Sequence, residues 1–593
     1  MSWKLIKRYR ELLDKERGTV HKDPGGRLNV ALAYPNLYHL GMSNLGFQVV
    51  YRLANDLDGV VCERSFLPGN GEAEEYASAR SPLLTLESQR PVRDFDVLAF
   101  SLCFENDYSG VLRLLELAGI SLLAAERPEE APLVLGGGVA AMLNPEPLAA
   151  FFDLFFVGEA EAGLGALLKR LAEARLGPLQ KKGRSELLAT LAREVPGVYV
   201  PSLYRPEYHA DGRLAAFHPS AGVPARVKSP KAARLDRPPA VSAITTPEAE
   251  LGDMYLVEVA RGCGRSCRFC AAGYVYRPPR NLAAGAALGA ISALEPGRRC
   301  GLVGAAISDY PHAAEVGRAV VERGGRLSVS SLRADSLEAG LLAALQRSGY
   351  KSAAIAPEAG SERLRRLINK GLTEDDVKRA AESLARAGAE RLKLYFMIGL
   401  PTEEAEDIGE IVALAKRVRH HLLKSVAPSG SMPRLALTVA SFVPKPHTPF
   451  QWAPMTDEKT LKERLRVLER SLRKEAVEVT ADVPKYAYVQ AVLARGDRRV
   501  QEFLLACHAT RNWRKVFRQV NLNADFYAAR SRERDELFPW DFIDHGVRKD
   551  YLWQEWQRAL AGEETPRCRP DVCHRCGVCP RRQGRQPNKL RRP

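Results

Sequence analysis

What this chain lacks limits it first. No stretch approaches 18 consecutive apolar residues, which excludes a helical membrane span. The N-terminal run MSWKLIKRYRELLDKERG is charged throughout and has no apolar core of the kind a signal peptide carries. The expectation is therefore a cytoplasmic protein with no membrane partner. A G-x-G-x-x-G after a strand is absent, so a dinucleotide site is not supported. Eleven cysteines in 593 residues are too few for a disulfide scaffold, and seven of them fall in two tight groups, which points to metal in a reducing compartment. Acids are outnumbered, 71 against 87 Lys and Arg, for a formal charge of +16. That balance permits an RNA partner, but the arginines run along the whole chain and form no single patch. A chain this long exceeds one hydrophobic core, so three or four domains are expected.

The first cysteine group lies in Glu258–Arg280, EVARGCGRSCRFCAAGYVYRPPR, where Cys263, Cys267 and Cys270 have the spacing C-x3-C-x2-C. Iron–sulfur clusters take thiolate ligands. Three thiolates fill three corners of a cubane and leave one iron open, because the next cysteine is the distant Cys300. A structural zinc would want four ligands. The second group, Cys568, Cys573, Cys576 and Cys579, reads C-x4-C-x2-C-x2-C followed by Pro580. Its four thiolates suffice for a closed zinc site or for a second iron–sulfur cluster. A tail from Arg581 to Pro593 then carries basic residues and no acid.

Alternation of short apolar runs with helical patterns sets the fold class. Strands are expected at Leu28–Tyr34, Asp96–Ser101, Pro132–Leu135 and Leu154–Val157, with helices between, as in a doubly wound parallel sheet. Gly41, Ser101 and Gly136-Gly137-Gly138 stand in the loops at its strand ends, where such sheets bind ligands. A hairpin is expected over 197–217, turning at Ala210-Asp211-Gly212, then a proline-rich linker or surface lap over 219–247. Six further strand–helix units follow, at Tyr255–Val259, Gly301–Ile307, Leu327–Ser331, Ser352–Ala356, Leu392–Ile398 and Leu435–Phe442. They describe a partial (β/α)6 barrel with its site at the carboxyl strand ends. Residues 456–480 read as one long helix with Leu461, Leu465, Leu468 and Leu472 on a stripe. Aromatics and arginines interleave over 484–560, including Arg495–Arg499 and Arg511–Arg518, and suit either base stacking or a helical core. The resulting division is an N-terminal helix (1–27), a Rossmann-like domain (28–196), hairpin and linker (197–252), barrel (253–452), a mostly α region (453–562) and a Cys-rich tail (563–593).

The cysteine loop, with APEAGSERLRRLINKG (Ala356–Gly371) and LYFMIGLPTE (Leu394–Glu403), resembles the radical S-adenosylmethionine (SAM) superfamily. The resemblance implies a [4Fe-4S] cluster on Cys263, Cys267 and Cys270. SAM would fill the open iron, with an electron donor such as flavodoxin or ferredoxin. Ser308, Arg333, Glu358 and Gly399 close neighbouring strands and carry groups suited to SAM's ribose, carboxylate and ammonium. YPNLYHLGMSNLG, GGG, NPEP (Asn144–Pro147) and VGEAE (Val157–Glu161) resemble the cobalamin-binding domain of the cobalamin-dependent class. Gly41, Ser101 and Gly136–Gly138 are then the cobalamin candidates. D-x-H-x-x-G is absent, since His39 has Leu37 where the Asp should stand, so no lower-ligand histidine is identified. The implied activity is methylation of an unactivated carbon on an unnamed substrate, RNA being among those permitted. The alternatives are non-methylating radical chemistry such as rearrangement or thiolation, and a non-catalytic zinc-holding RNA-binding protein.

Overall fold

Leu28–Tyr34 (β1) is buried along its whole length, as a strand covered on both faces of a parallel sheet must be. The computed structural model describes residues 2–176, 183–330, 332–426, 432–510 and 512–579. Ser331, Arg511, Pro580 and the basic tail from Arg581 lie outside them. Around β1 gather Val60–Phe66 (β2), Val97–Ser101 (β3), Leu133–Gly137 (β4), Leu154–Phe156 (β5) and Val198–Tyr199 (β6), in the order β2-β1-β3-β4-β5-β6. All pairs are parallel except β5 with β6. The sheet grows one way from β1 to β2 and the other from β1 to β3, and ligands of such sheets bind in the crevice outside the strand ends at that reversal.

β2 was not expected, because VVCERSF places Glu63, Arg64 and Ser65 mid-strand. All three are buried and satisfied. Thr85 donates its hydroxyl to Glu63 at 2.6 Å and Ser65 bonds the Leu84 carbonyl. The Arg64 guanidinium bonds Glu16 and Glu87, each at 2.6 Å. Glu16 follows the helix Trp3–Leu13, so this ion triad fastens the N-terminal segment to the sheet.

The hairpin forms from Tyr204–Tyr208 (β7) and Leu214–Pro219 (β8), with Gly212 at φ +86° in its turn. The proline-rich stretch is a lap across the surface. Its Val227–Lys228 (β9) pairs with a strand far down the chain, and its Thr245 pairs with Arg17.

The barrel opens with Tyr255–Glu258 (β10). A short antiparallel pair, Ala260–Arg261 (β11) and Arg280–Asn281 (β12), brackets the first cysteine group. Arg299–Val303 (β13) and Arg326–Val329 (β14) complete a parallel three-stranded sheet. Ser352–Glu358 (β15), Arg391–Ile398 (β16), Arg434–Ser441 (β17) and Glu478–Ala481 (β18) form a parallel four-stranded one. A parallel bridge from Leu332 to Ile355 links the two. β18 is a correction to the single helix expected over 456–480. The helix spans Glu458–Arg473 and buries the leucine stripe, then the chain turns through Ala476 at φ +53° and returns as a strand beside β17.

The C-terminal region is mostly helical, and Ile543–Asp544 (β19) is the partner of β9. Its aromatics are largely core: Trp540 and Phe542 are buried, and Phe542 stacks on Phe217 at 4.9 Å. Arg495 is fully buried and bonds the carbonyls of Ala453 and Ala528, while Arg498 bonds Glu146 at 3.0 Å. Arg495 and Arg498, two of the charges considered for RNA, are thus engaged inside the protein, whereas Lys515 and Arg518 of the other run are exposed.

Replacing Glu16 with Ala strips one carboxylate from a buried guanidinium and is expected to cost about 3 kcal/mol. A urea-denaturation midpoint unchanged in the Glu16→Ala variant would show that the triad does not hold the N-terminal segment.

Candidate active site at the cysteine loop

The loop between β11 and β12 carries all three cysteines of the first group. Cys267 is buried and Cys263 and Cys270 are half-buried. Burial pushes the Cys270 thiol up to about 12, with Cys267 and Cys263 adding to the rise, and burial likewise raises Cys263. Cys267 and Cys263 both act electrostatically on Cys270, so the three thiols are neighbours that could serve a cubane, which would need them as thiolates. Among the described residues, no three His, Cys, Asp or Glu side chains converge on a single-ion site.

The loop is fixed from within. Ser266, buried between two of the cysteines, takes φ +62°, a conformation a non-glycine residue holds only when its surroundings impose it. Its hydroxyl accepts from Arg277 at 2.9 Å, and its carbonyl accepts from Asn369 Nδ2 at 3.2 Å. Arg268 is fully buried and donates to the carbonyls of Leu367 (2.9 Å) and Glu563 (2.6 Å). Arg265 pairs with Asp309 and, at 2.5 Å, with Asp335.

Asp335 links this loop to the SAM candidates. Arg333 bonds Asp335 at 3.0 Å and the Lys370 carbonyl at 2.8 Å, and its backbone N–H donates to the Ser308 hydroxyl at 2.9 Å. Lys370 pairs with Glu358 at 3.0 Å. Glu358 ends β15 at φ +69°. Ser308, Arg333 and Glu358 thus belong to one polar network beside the cysteines. Gly399 stands apart from it: its carbonyl accepts from Thr456, and a Cβ there would meet Leu461 at 2.7 Å.

The strand ends of the N-terminal sheet open on a cavity of about 510 Å³, a size typical of ligand sites. Ser101, Gly136, Gly137 and Gly138 line it, with Asn44, Cys103, Glu159 and Glu161. Across from them the wall is barrel: Glu258, Ala260, Arg261, Gly262 and Tyr276. The glycines differ in what they do. Gly138 lies at φ +106° with the Leu102 carbonyl 2.5 Å from where a Cβ would be, and at Gly136 the Phe155 ring occupies that place. Gly137 meets only ordinary contact and leaves room. Gly41 lies outside the lining, its backbone pressed against Phe66 and Tyr34, so packing accounts for it. His39 is also outside and faces Glu250.

A second cavity of about 350 Å³ touches Cys263, Gly264, Arg265, Asp309 and Cys568, and it shares Ala260 and Gly262 with the first. The two spaces therefore meet across the strand that leads into the cysteine loop.

That strand is held by charge. Arg261 bonds Glu159 (2.9 Å), Glu161 (2.6 Å) and Glu258 (2.6 Å), and Arg280 bonds Glu159 at 2.6 Å. Glu159 and Glu161 belong to the VGEAE run of the N-terminal domain, so this clamp joins the domains at the cavity wall. Sequence reasoning missed its arginine partners, as it missed Arg265, Arg268 and Lys370. The available signal was the placement of charged residues inside and beside the cysteine motif.

Comparison with known proteins decides the family. A family model described as "Radical SAM superfamily" matches residues 257–415, and one described as "Radical SAM proteins, N-terminal" matches residues 46–201. An uncharacterized protein of Methanocaldococcus jannaschii, MJ0966, is 30% identical over 483 residues, covering 80% of this chain and 90% of that protein. The chain belongs to the radical SAM superfamily. Among solved structures, the radical S-adenosylmethionine methyltransferase TsrM from Kitasatospora setae, with cobalamin and a [4Fe-4S] cluster bound, gives a TM-score of 0.45 at 14% identity, over 73% of this chain and 80% of that one. The cobalamin-dependent S-adenosylmethionine radical enzyme OxsB, with aqua-cobalamin and S-adenosylmethionine bound, gives 0.42 at 12% identity, over 90% of this chain and 80% of that one.

For this radical SAM enzyme, removing Glu159 leaves two guanidiniums short of a buried partner. Glu159→Ala is expected to lower stability by about 3 kcal/mol in chemical denaturation. A loss below about 1 kcal/mol, the value of an exposed pair, would show that the clamp does not join the domains.

Proposed function

We propose that this radical SAM enzyme is cobalamin-dependent and methylates an unactivated carbon of its substrate. The observation that carries the reading is the shared wall of the two cavities. Ala260 and Gly262 line both the crevice of the parallel sheet and the space at Cys263. A corrin at the sheet and SAM at the cysteines would thus face one another across a single strand.

Cys263, Cys267 and Cys270 would hold three irons of a [4Fe-4S] cluster, and SAM would take the fourth. When bound, the cluster supplies the electron that splits SAM into a hydrogen-abstracting radical, and cobalamin supplies the methyl group. The remaining work belongs to the chain. Glu358, steadied by Lys370, offers an acceptor to the SAM ammonium. Arg333, oriented by Asp335 and the Lys370 carbonyl, offers a cation to the carboxylate. Gly137 and Ser101 present backbone and hydroxyl to the corrin, and no histidine is among the residues lining that cavity. Gly262, at φ +75° and hard against the Tyr276 carbonyl, keeps the dividing strand thin.

The test is anaerobic purification and reconstitution, followed by SAM and dithionite. Corrin absorbance, with both deoxyadenosine and S-adenosylhomocysteine among the products, is expected. Deoxyadenosine alone would overturn methyl transfer, and protein free of corrin after reconstitution would overturn the cobalamin assignment. Cys263→Ala is expected to lose the iron of this site and all SAM cleavage. Glu358→Gln should keep the iron and weaken SAM binding about tenfold, as loss of one charge-assisted hydrogen bond does. Unchanged SAM affinity in that variant would remove Glu358 from the site.

A further inference from the structure

The second cysteine group does not hang free at the end of the chain. Its first member docks on the first group: the Cys568 backbone N–H donates to the Gly264 carbonyl at 2.7 Å, immediately after Cys263. Contact there is close enough that a Cβ on Gly264 would lie 3.2 Å from the Cys568 carbonyl oxygen and 3.9 Å from its Cβ. The approach to this contact is tied down as well. Asn369, which holds Ser266, also exchanges hydrogen bonds with the backbone of Thr565, at 2.9 and 3.1 Å. Arg567 reaches Asp335 at 3.1 Å, the same carboxylate that orients Arg265 and Arg333. Cys576 is buried among Tyr274, Tyr551 and Trp540, and Tyr274 belongs to the first cysteine loop itself.

The other side of the group reaches solvent. Val572 is 70% exposed, Cys573 and Cys579 are half-buried, and Arg567 and Arg569 are exposed. The motif therefore spans from a basic surface to the loop of the catalytic thiols, within one hydrogen bond of Cys263's neighbour.

We propose that Cys568, Cys573, Cys576 and Cys579 hold a second four-iron cluster that relays electrons into the site at Cys263, Cys267 and Cys270 from an acidic one-electron carrier of the flavodoxin or ferredoxin class. The proposal rests on the radical SAM reading and adds to it the route by which the electron enters. In each transfer the carrier loses one electron, the tail site gains and passes on that electron, and the first site ends reduced by one; no bond forms and no proton moves. Four thiolates close every corner of the tail cluster, as a pure electron-transfer centre requires, whereas three leave the first site open to SAM. The exposed arginines suit an acidic partner, since opposite charge across an interface speeds encounter and fixes orientation.

The test uses the full chain, anaerobically reconstituted, in three forms. Wild type is expected to hold about eight irons, four per cubane. Cys573→Ala/Cys579→Ala, which alters the two half-buried ligands and spares the core, should hold about four irons. It should cleave SAM normally with dithionite but lose roughly tenfold or more of its rate with reduced flavodoxin, which must enter through the tail. The Cys263→Ala/Cys267→Ala/Cys270→Ala variant isolates the tail: about four irons and a reduced-state paramagnetic signal indifferent to SAM are expected. Zinc in place of iron in that variant overturns the proposal, and so does an undiminished flavodoxin-driven rate in the tail variant. Failure of the radical SAM reading looks different: wild type with dithionite would then release no deoxyadenosine, whatever the tail holds.

Discussion

Arg261 sits where the N-terminal sheet, the first barrel strand and the cysteine loop meet, and its guanidinium is shared by Glu159, Glu161 and Glu258. A charge withdrawn from water in this way is stable only while its partners stay in place, and removing one costs several kcal/mol. The requirement is reciprocal. Glu159 is buried and needs Arg261 and Arg280, so β11 and β12 cannot part without stranding a carboxylate. Because those two strands bracket the cysteines, the clamp sets the position of the loop relative to the sheet's ligand crevice. The shared wall at Ala260 and Gly262 follows from it.

The same chemistry explains where the excess positive charge resides. Arg64, Arg268, Arg277, Arg365 and Arg495 are all fully or almost fully buried. Arginine suits that role because its planar fork can satisfy several acceptors at once. Arg268 does so with the carbonyls of two separate segments, and Arg365 with those of Ala359, Gly360 and Leu372. Net charge counts such residues as though they faced solvent. In this chain many of them act as internal fasteners between loops, which weakens the inference from composition to RNA.

Much of the fold was legible because parallel strands buried on both faces must be apolar runs, and β1, β3 and β4 are, while β16 alternates buried apolar residues with partly exposed ones. β2 was illegible for the converse reason. Its Glu63 and Arg64 are satisfied by Thr85, Glu16 and Glu87, partners 22 to 48 residues away that no local pattern reveals. β18 was hidden because Glu478–Ala481 continues a charged helix without a proline or glycine stop, and the turn falls at Ala476. In the candidate site the cysteines and the strand-end charges were readable as types at positions. What they pair with was not: Lys370 with Glu358, and Asp335 with Arg265, Arg333 and Arg567, arise from three-dimensional closure. Glycine was the most ambiguous letter. Gly41 and Gly136 are required by neighbouring rings, Gly138 by its own backbone and a carbonyl, and Gly137 alone leaves open space.

These constraints converge on the cysteine loop from opposite sides. Arg261 holds its entrance against the N-terminal sheet, Arg268 and Asn369 hold its middle against the chain leading to the C-terminal tail, and Arg277 stacks over Tyr274 and Tyr551 at its exit. Ser266, at positive φ, is held there by hydrogen bonds from Arg277, Tyr274 and Asn369. A loop held by this many contacts from the protein itself gives up little conformational entropy in holding a cluster, so thiolate affinity goes into binding rather than ordering. The N-terminal sheet and the C-terminal segment are, on this view, parts of the site's scaffold: each supplies partners without which the three thiols would not be held together.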